Sequence, residues 1–389
     1  MAAVAGDRGS VPAVHAAAVV LLTDLPEWCE PLLAALRAAG VPAATAVLGV
    51  DWAPPAAVPD AWRVIVNRLS ARPTPADGEP LAATVTRHRD AITAVAARAL
   101  AAASSVTSDD DAHDRLPLLV LLNGDACHAV AVSKVAQAAV FAAAGATTPE
   151  TIPVSSSRQA TAQAAARGGR WLLKANVGGK GAGIRFVDPS SISAGDAAAE
   201  KDASAAEDVS TFGADGTAVL QRYVVPAGGV IYRAEVVGGR VLYVAATPVP
   251  PPPPVAGAVG AAGKASFNNC LGDVCAARPA ASRPTVVPLA SIPAATLRGV
   301  RRVATAAAMD IGSVEFLFPE PEAAESDASL LTSDRALYFD INPVSTLVPE
   351  SRLPFGWAPP PAGWAEASAR PIEHHAAYIA HRWRRITGA

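Results

Sequence analysis

Residues Trp171 to Val187 read WLLKANVGGKGAGIRFV. An apolar run ending in a lysine, Trp171 to Lys174, enters a loop carrying Gly178, Gly179, Gly181 and Gly183, and a second apolar run, Ile184 to Val187, leaves it. The pattern predicts strand, pliant loop, strand. Glycines let a backbone take positive φ and approach a ligand closely, and successive N–H groups in such a loop converge on anionic oxygens. A nucleotide phosphate is the first candidate. The spacing is neither that of a Walker loop, where GxxxxGK[ST] opens a helix, nor that of GxGxxG followed by a helix. Here a strand follows, and Lys174 precedes the glycines. Taken alone, the stretch fits an ordinary glycine-rich hairpin equally well.

Lysines are few, so their positions carry information. Lys134 falls on a predicted helix over 129–144, closed by Gly145. Two ammonium groups with a loop of N–H donors suit a triphosphate. Downstream, Glu315 lies in a predicted strand (SVEFLF), and Asp340 and Asn342 lie two apart in another (YFDINP). Residues i and i+2 share a strand face. Two carboxylates and an amide oxygen then form a hard-oxygen set suited to Mg²⁺. Each element has a plain alternative: a half-exposed glutamate, or a DxN turn before proline. Their order along the chain is far more specific than any one of them.

That order resembles the ATP-grasp superfamily, and its carboxylate–amine ligases in particular. The matching stretches are NGDACHAVAVSK, TTPET, LLKANVGGKGAGI, VLQRYV, VIYRAEVVGGRVLYVA, GSVEFLF and YFDINPVST, spanning about residues 115–350. The resemblance implies an α/β Rossmann-like domain over 1–114 followed by an ATP-grasp domain over 115–389 with two α+β lobes: a small lid lobe at about 150–224 and a C-terminal lobe at about 225–389. It implies that Lys134 and Lys174 contact nucleotide phosphates, and that the loop with Gly178, Gly179, Lys180, Gly181 and Gly183 closes over them. Gln221 matches the position that meets the adenine amino group, with the backbone of Arg222, Tyr223 and Val224 forming the adenine edge. Glu315, Asp340 and Asn342 match the magnesium set, with aspartate in place of the commoner glutamate at 340. Arg233, like Lys174, is expected in the catalytic machinery, facing the reacting phosphate or acyl group. The cofactors implied are ATP and Mg²⁺, with Mn²⁺ as a substitute.

The implied reaction is ATP-dependent ligation of a carboxylate to an amino-acid-like amine through an acylphosphate. A small-molecule kinase of the same superfamily and a non-catalytic ATP-binding protein are the alternatives. Two departures from the family pattern bear on the acceptor. Ala245, Ala246 and Thr247 stand where a basic residue is common, and Pro343, Val344 and Ser345 follow Asn342 without an arginine. Lys180 and Arg185 are the cations left to supply charge there.

Working outward, strands at 17–24, 45–49 and 63–67 alternate with helices at 30–39 and 81–102, which predicts a parallel sheet. Asn67, Arg68, Ser70 and Arg72 fall at the carboxyl end of the third strand, where open α/β sheets bind ligands, and read either as substrate groups or as capping and turn residues. The acidic run 104–114 reads as a surface loop at a domain boundary, TTPET as a turn, and 231–237 with 240–246 as a hairpin across Gly238 and Gly239. A helix over 294–309, two strands (312–318 and 336–341) and a final helix over 373–386 follow. The proline-rich run 248–254 cannot join a sheet.

With 389 residues, 51% hydrophobic and 17% charged, the chain is globular and long enough for two or three domains. A net charge of -3 gives no general basic field for nucleic acid. No run of membrane-spanning length is present, and Cys29, Cys127, Cys270 and Cys275 are too few for a disulfide scaffold, so a cytoplasmic, reducing setting is expected. CxxxxC over Cys270 and Cys275 is weak as a zinc site, and His374 and His375 read as surface or packing residues. The partners expected are small-molecule carboxylate and amine substrates, without nucleic acid or membrane; a homodimer is left open.

Overall fold

The structure, a computed structural model, describes residues 16–53, 58–70, 81–104, 119–177, 184–187, 212, 215–249, 284–320, 335–344 and 371–388. In chain order the elements are β1 (Val19–Thr23), α1 (Glu30–Ala38), β2 (Ala43–Val47), β3 (Val64–Arg68), α2 (Leu81–Ser104), β4 (Val120–Leu122), α3 (Asp125–Ala131), α4 (Lys134–Ala143), β5 (Thr151–Val154), α5 (Ser157–Arg167), β6 (Trp171–Ala175), β7 (Arg185–Val187), β8 (Ala218–Arg222), β9 (Pro226–Val237), β10 (Arg240–Pro248), β11 (Thr285–Val287), α6 (Ala294–Ala306), β12 (Ile311–Pro319), β13 (Leu337–Asn342) and α7 (Pro371–Thr387). The chain divides into two compact units, one within Met1–His128, Met309–Ile311 and Pro343–Ala389, the other within Ala129–Ala308 and Gly312–Asn342.

The first unit is built on a parallel sheet of order β2-β1-β3-β4. Its central strands are buried along their whole length, which is why VVLL and VIV run apolar without alternation. Trp52, Trp62, Ile92 and Val95 complete the core on the α2 side, and α7 lays buried His375, Ala376, Ile379 and Ala380 toward α1. β4 hydrogen-bonds to β3 and α7 packs in this unit, although the sequence places both after a boundary at 114. The acidic run looked like the boundary, but the next apolar strand completes the first sheet.

Asn123 ends β4 in the left-handed region, at φ 53. Its Nδ2 donates to the carbonyls of Ile311 (2.7 Å) and Pro343 (3.1 Å), and its Oδ1 accepts from the amides of Asp310 (2.9 Å) and Ile311 (3.1 Å). A fully buried side-chain amide thus satisfies four backbone groups from distant parts of the chain.

The second unit contains two sheets. In the antiparallel sheet β5-β8-β6-β7, Trp171, Leu173, Ala218 and Leu220 point to one face and pack with Ala160 and Ala164 of α5. Leu172, Lys174, Val219 and Gln221 therefore point to the other. β5 has no counterpart in the sequence reading, which ends its turn at Thr151: Thr151 pairs with Gln221 and Val154 with Ala218, so TTPET leads directly into the sheet. The other sheet has the order β11-β10-β9-β12-β13, and β11 has no counterpart in the sequence reading. Gly238 and Gly239 turn the β9–β10 hairpin at φ 54 and 76, values that side chains resist. Beside it α6 buries Thr296, Gly299, Val300 and Val303, the i, i+3, i+4, i+7 spacing of one helix face. Gly299 lies against the Tyr338 hydroxyl, where a Cβ would collide.

The helix expected over 129–144 is two helices, α3 and α4, meeting at 114°. Ser133 breaks it: its hydroxyl accepts from the Ala136 amide as an N-cap (3.2 Å) and donates to Asn176 Oδ1 (3.0 Å). Lys134 thereby becomes the first residue of α4 rather than a mid-helix residue.

Candidate nucleotide and metal site

The polar face of β6 and β8 carries Lys174 and Gln221 because Leu172 and Gln221 are register partners and Lys174 lies two residues from Leu172. Lys174 Nζ donates to Gln221 Oε1 at 2.6 Å, and Gln221 Nε2 donates to Thr151 Oγ1 at 3.0 Å. Burial, then the nearby Lys134 charge, push the Lys174 ammonium down to about 8 against the pull of Asp340 and Glu315. The carboxamide oxygen expected to meet an adenine amino group already accepts from Lys174, leaving one lone pair for a ligand.

Lys134 reaches the same cleft, which is lined by Lys134, Gln137, Thr151, Lys174, Gln221 and Phe339 among others. Asn176, two residues past Lys174, ties the two lysines together. Its Oδ1 accepts from the Val135 amide (2.9 Å) and the Ser133 hydroxyl, its carbonyl accepts from the Lys134 amide (3.2 Å), and its Nδ2 donates to Asp215 (2.6 Å). Gln137 does similar work for β13: its Nε2 donates to the Ile341 carbonyl at 3.0 Å while its Oε1 accepts from Lys134 Nζ at 3.3 Å. The sequence reading missed both residues. The one signal for Asn176 was its place between Lys174 and the glycines; Gln137 offered none.

Glu315 and Asp340 are register partners across β12 and β13, and Ser313 pairs with Asn342. All four side chains share one sheet face. Asn342 Nδ2 lies 3.1 Å from Glu315 Oε1 and 3.3 Å from Asp340 Oδ2, so the three expected metal residues do come together. Lys134 forms an ion pair with Asp340 Oδ1. Burial pushes the Asp340 carboxyl up, but Lys134, Lys174 and the Asn342 hydrogen bond outweigh it and hold the group below the usual carboxylate range. Arg233 Nη1 lies 3.4 Å from Glu315 Oε1, with both side chains 6% exposed. The hydroxyls of Thr247 and Ser313 and Arg233 Nε are buried without a hydrogen-bond partner among the described residues.

Two carboxylates and one amide oxygen, close enough for one amide group to touch both acids, fit a six-coordinate ion completed by water and phosphate oxygens. No group of three or more His, Cys, Asp or Glu able to hold a metal occurs among the described residues. The donor set here is smaller and relies on an amide.

Other expected residues fall elsewhere. Arg185 pairs with Leu173 on the α5 face and donates to Ser157 (2.5 Å), so it faces away from Lys174 and does not supply the missing charge. Arg222 stacks on Trp171 (4.3 Å) and pairs with Glu150 (3.3 Å). The amides of Arg222 and Tyr223 are donated to the Glu150 and Arg170 carbonyls, which leaves the Val224 amide as the expected edge donor without a bond among the described residues. Gly178, Gly179, Lys180, Gly181 and Gly183 lie outside the described residues, as do Arg72, Cys270 and Cys275. Asn67, Arg68 and Ser70 are buried, and Asn67 is spent on the Leu69 amide (3.0 Å), the Asn123 carbonyl (2.9 Å) and His128 (3.4 Å), as a strand-end tie. His375 is buried packing.

No family model and no curated protein sequence matches the chain. Solved structures do. The ATP-grasp ligase PsnB complexed with minimal precursor is 13% identical, with 95% of this chain and 99% of that one covered at a TM-score of 0.52. A RimK domain ATP-grasp protein from Sphaerobacter thermophilus is 17% identical, with 94% and 99% covered at 0.50. The D-alanine–D-alanine ligase from Bacillus anthracis is 10% identical, with 96% and 99% covered at 0.51. At such identities the likeness is one of architecture along nearly the whole chain: this protein has the ATP-grasp fold.

Proposed function

We propose that the protein is an ATP- and Mg²⁺-dependent ligase that joins a carboxylate to an amine, releasing ADP and phosphate. The observation that carries the reading is the convergence of Lys134 and the Glu315–Asp340–Asn342 set at one place, with Arg233 paired to Glu315. Lys134 and Lys174 would hold the nucleotide phosphates. Glu315, Asp340 and Asn342 would hold Mg²⁺, which when bound neutralises phosphate charge and polarises the phosphorus–oxygen bonds. Arg233 Nε–H and the Thr247 hydroxyl would orient the substrate carboxylate. Its oxygen attacks the γ-phosphorus and ADP departs, giving an acylphosphate; an amine then attacks the acyl carbon, and phosphate leaves as the amine loses a proton. The chain needs no covalent nucleophile for this sequence. The ligases of the same fold support the reading, as does the single guanidinium, that of Arg233, paired with Glu315 among the described residues, which suits a carboxylate better than a phosphorylated polyol.

The test supplies ATP, Mg²⁺ and a panel of carboxylic acids with hydroxylamine as the trapping amine, and measures hydroxamate and free phosphate. Acid-dependent hydroxamate with matching phosphate release is expected, and Asp340→Ala or Lys174→Ala should abolish it. Phosphate transfer to an alcohol with no free phosphate, or turnover unchanged in both variants, overturns the reading.

A further inference from the structure

Polar side chains of β5, β6 and β8 form one run of hydrogen bonds whose direction is fixed at both ends. Lys174 Nζ donates to Gln221 Oε1 at 2.6 Å, Gln221 Nε2 donates to Thr151 Oγ1 at 3.0 Å, and the Thr151 hydroxyl donates to the Pro149 carbonyl at 2.8 Å. An ammonium has no lone pair and a carbonyl has no proton, so neither end can change role. Thr151, with its proton on Pro149, can only accept from Gln221. The Gln221 side chain, in a residue 7% exposed, is thus held with its oxygen toward Lys174 and its nitrogen toward Thr151. Strand pairing keeps the two ends apart. Thr151 and Leu172 are the register partners of Gln221 on its two sides, and Lys174 lies two residues beyond Leu172 on the same face.

That order decides what a purine meets. Beyond these bonds Gln221 keeps one lone pair on Oε1 and one N–H on Nε2. An amide so placed takes an amino group on its oxygen and gives its N–H to the adjoining ring nitrogen, the pairing that carboxamides make with adenine. A 6-oxopurine sets a second oxygen against Oε1 and is matched at position 6 only by the reversed amide. Reversal breaks the Lys174 and Thr151 bonds and points Nε2–H at an ammonium. Lys174 has two further N–H groups for phosphate, so it can hold Gln221 while nucleotide is bound.

We propose that Thr151 sets the purine selectivity of this cleft: acting through Gln221, its hydroxyl holds the carboxamide in the orientation that accepts a 6-amino group and rejects a 6-oxo group. This rests on the nucleotide reading above and adds a positioning residue, one that works without touching the base.

The experiment measures binding of ADP and of inosine diphosphate by calorimetry to the full-length parent protein, Thr151→Val, Thr151→Ala and Thr151→Ser, each checked for folding by circular dichroism. The readout is the ratio of the two affinities. General loosening of the fold leaves that ratio unchanged, because both ligands carry the same ribose and diphosphate. The parent should favour ADP at least about tenfold. Thr151→Val and Thr151→Ala remove the hydroxyl and should lower the ratio at least about threefold, the weight of one hydrogen bond, whereas Thr151→Ser should keep it. An unchanged ratio in Thr151→Val and Thr151→Ala overturns the proposal, and so does a Thr151→Ser ratio that falls with theirs. A parent that binds the two diphosphates equally overturns it as well. A parent that binds neither overturns the nucleotide reading itself, so the two failures are distinct.

Discussion

Glu315 and Asp340 face each other as register partners on adjacent antiparallel strands, and the single amide of Asn342 touches both carboxylates. Like charges so placed repel unless something lies between them. Replacing the amide with a third acid tests what does. Asn342→Asp is expected to destabilise the protein by about 1–3 kcal/mol in chelator and to recover most of that loss in millimolar Mg²⁺, read as melting temperature against metal concentration. A variant indifferent to Mg²⁺ would show that no ion enters between the strands.

Lys174 gives the site a basic limb. Its ammonium is lowered to about 8, and only the charged form attracts phosphate. As pH rises through that value, the free protein's lysine loses its charge, so ADP affinity should fall from pH 7 to pH 9. Lys174→Arg keeps its charge across the range. It should flatten the upper limb even if it binds more weakly overall; a parent protein with constant ADP affinity over these pH values would remove Lys174 from the phosphate site.

The strands that carry charge were legible because side-chain alternation alone sets their faces: Lys174 and Gln221 lie on one face of β6 and β8, Asp340 and Asn342 on one face of β13. The break at Ser133 was not legible. Alanine, valine and phenylalanine continue in helical spacing on both sides, and the signal that ends one helix and caps the next is a hydrogen bond to Asn176, forty-three residues away. β5 was hidden for a similar reason, since TIPV gains strand character from its partner β8 and not from its own composition. The basic role offered to Arg185 failed on parity: it is opposite Leu173, one residue out of phase with Lys174.

Asn176 fixes Lys134 relative to Lys174 through the Ser133 hydroxyl and the Lys134 and Val135 amides. Asn176→Ala removes the cap contacts made by its side chain and leaves its backbone carbonyl in place. The expected loss of stability is about 1–2 kcal/mol, in the range of a helix cap with a buried partner. Nucleotide affinity should drop by more than stability explains, roughly tenfold under conditions where the variant is fully folded, because Lys134 and Lys174 lose their common anchor. Ser133→Ala, which removes the cap and the hydroxyl's bond to Asn176 but leaves the Val135 amide on Asn176 Oδ1, should cost similar stability and less affinity. Equal affinity losses in the two variants would mean that Asn176 serves the helix end and nothing more.

His128 sets the acid limit of the first unit. The ring is 3% exposed, and burial pushes it down from 6.5 to about 4. Asn67 Nδ2 lies 3.4 Å from Nδ1, so with that nitrogen accepting, the proton of the neutral ring sits on Nε2. Between these two values the unfolded chain binds a proton that the folded chain refuses, so stability rises with pH across the window and is lost as pH falls from 6.5 toward 4. The loss amounts to roughly 3 kcal/mol from this one residue. His128→Gln keeps a side chain able to meet Asn67 and cannot charge. Its urea unfolding free energy should therefore fall less steeply than that of the parent protein over the same window, whatever its value at neutral pH. Parallel pH slopes in the two proteins would show that the ring takes up its proton without unfolding.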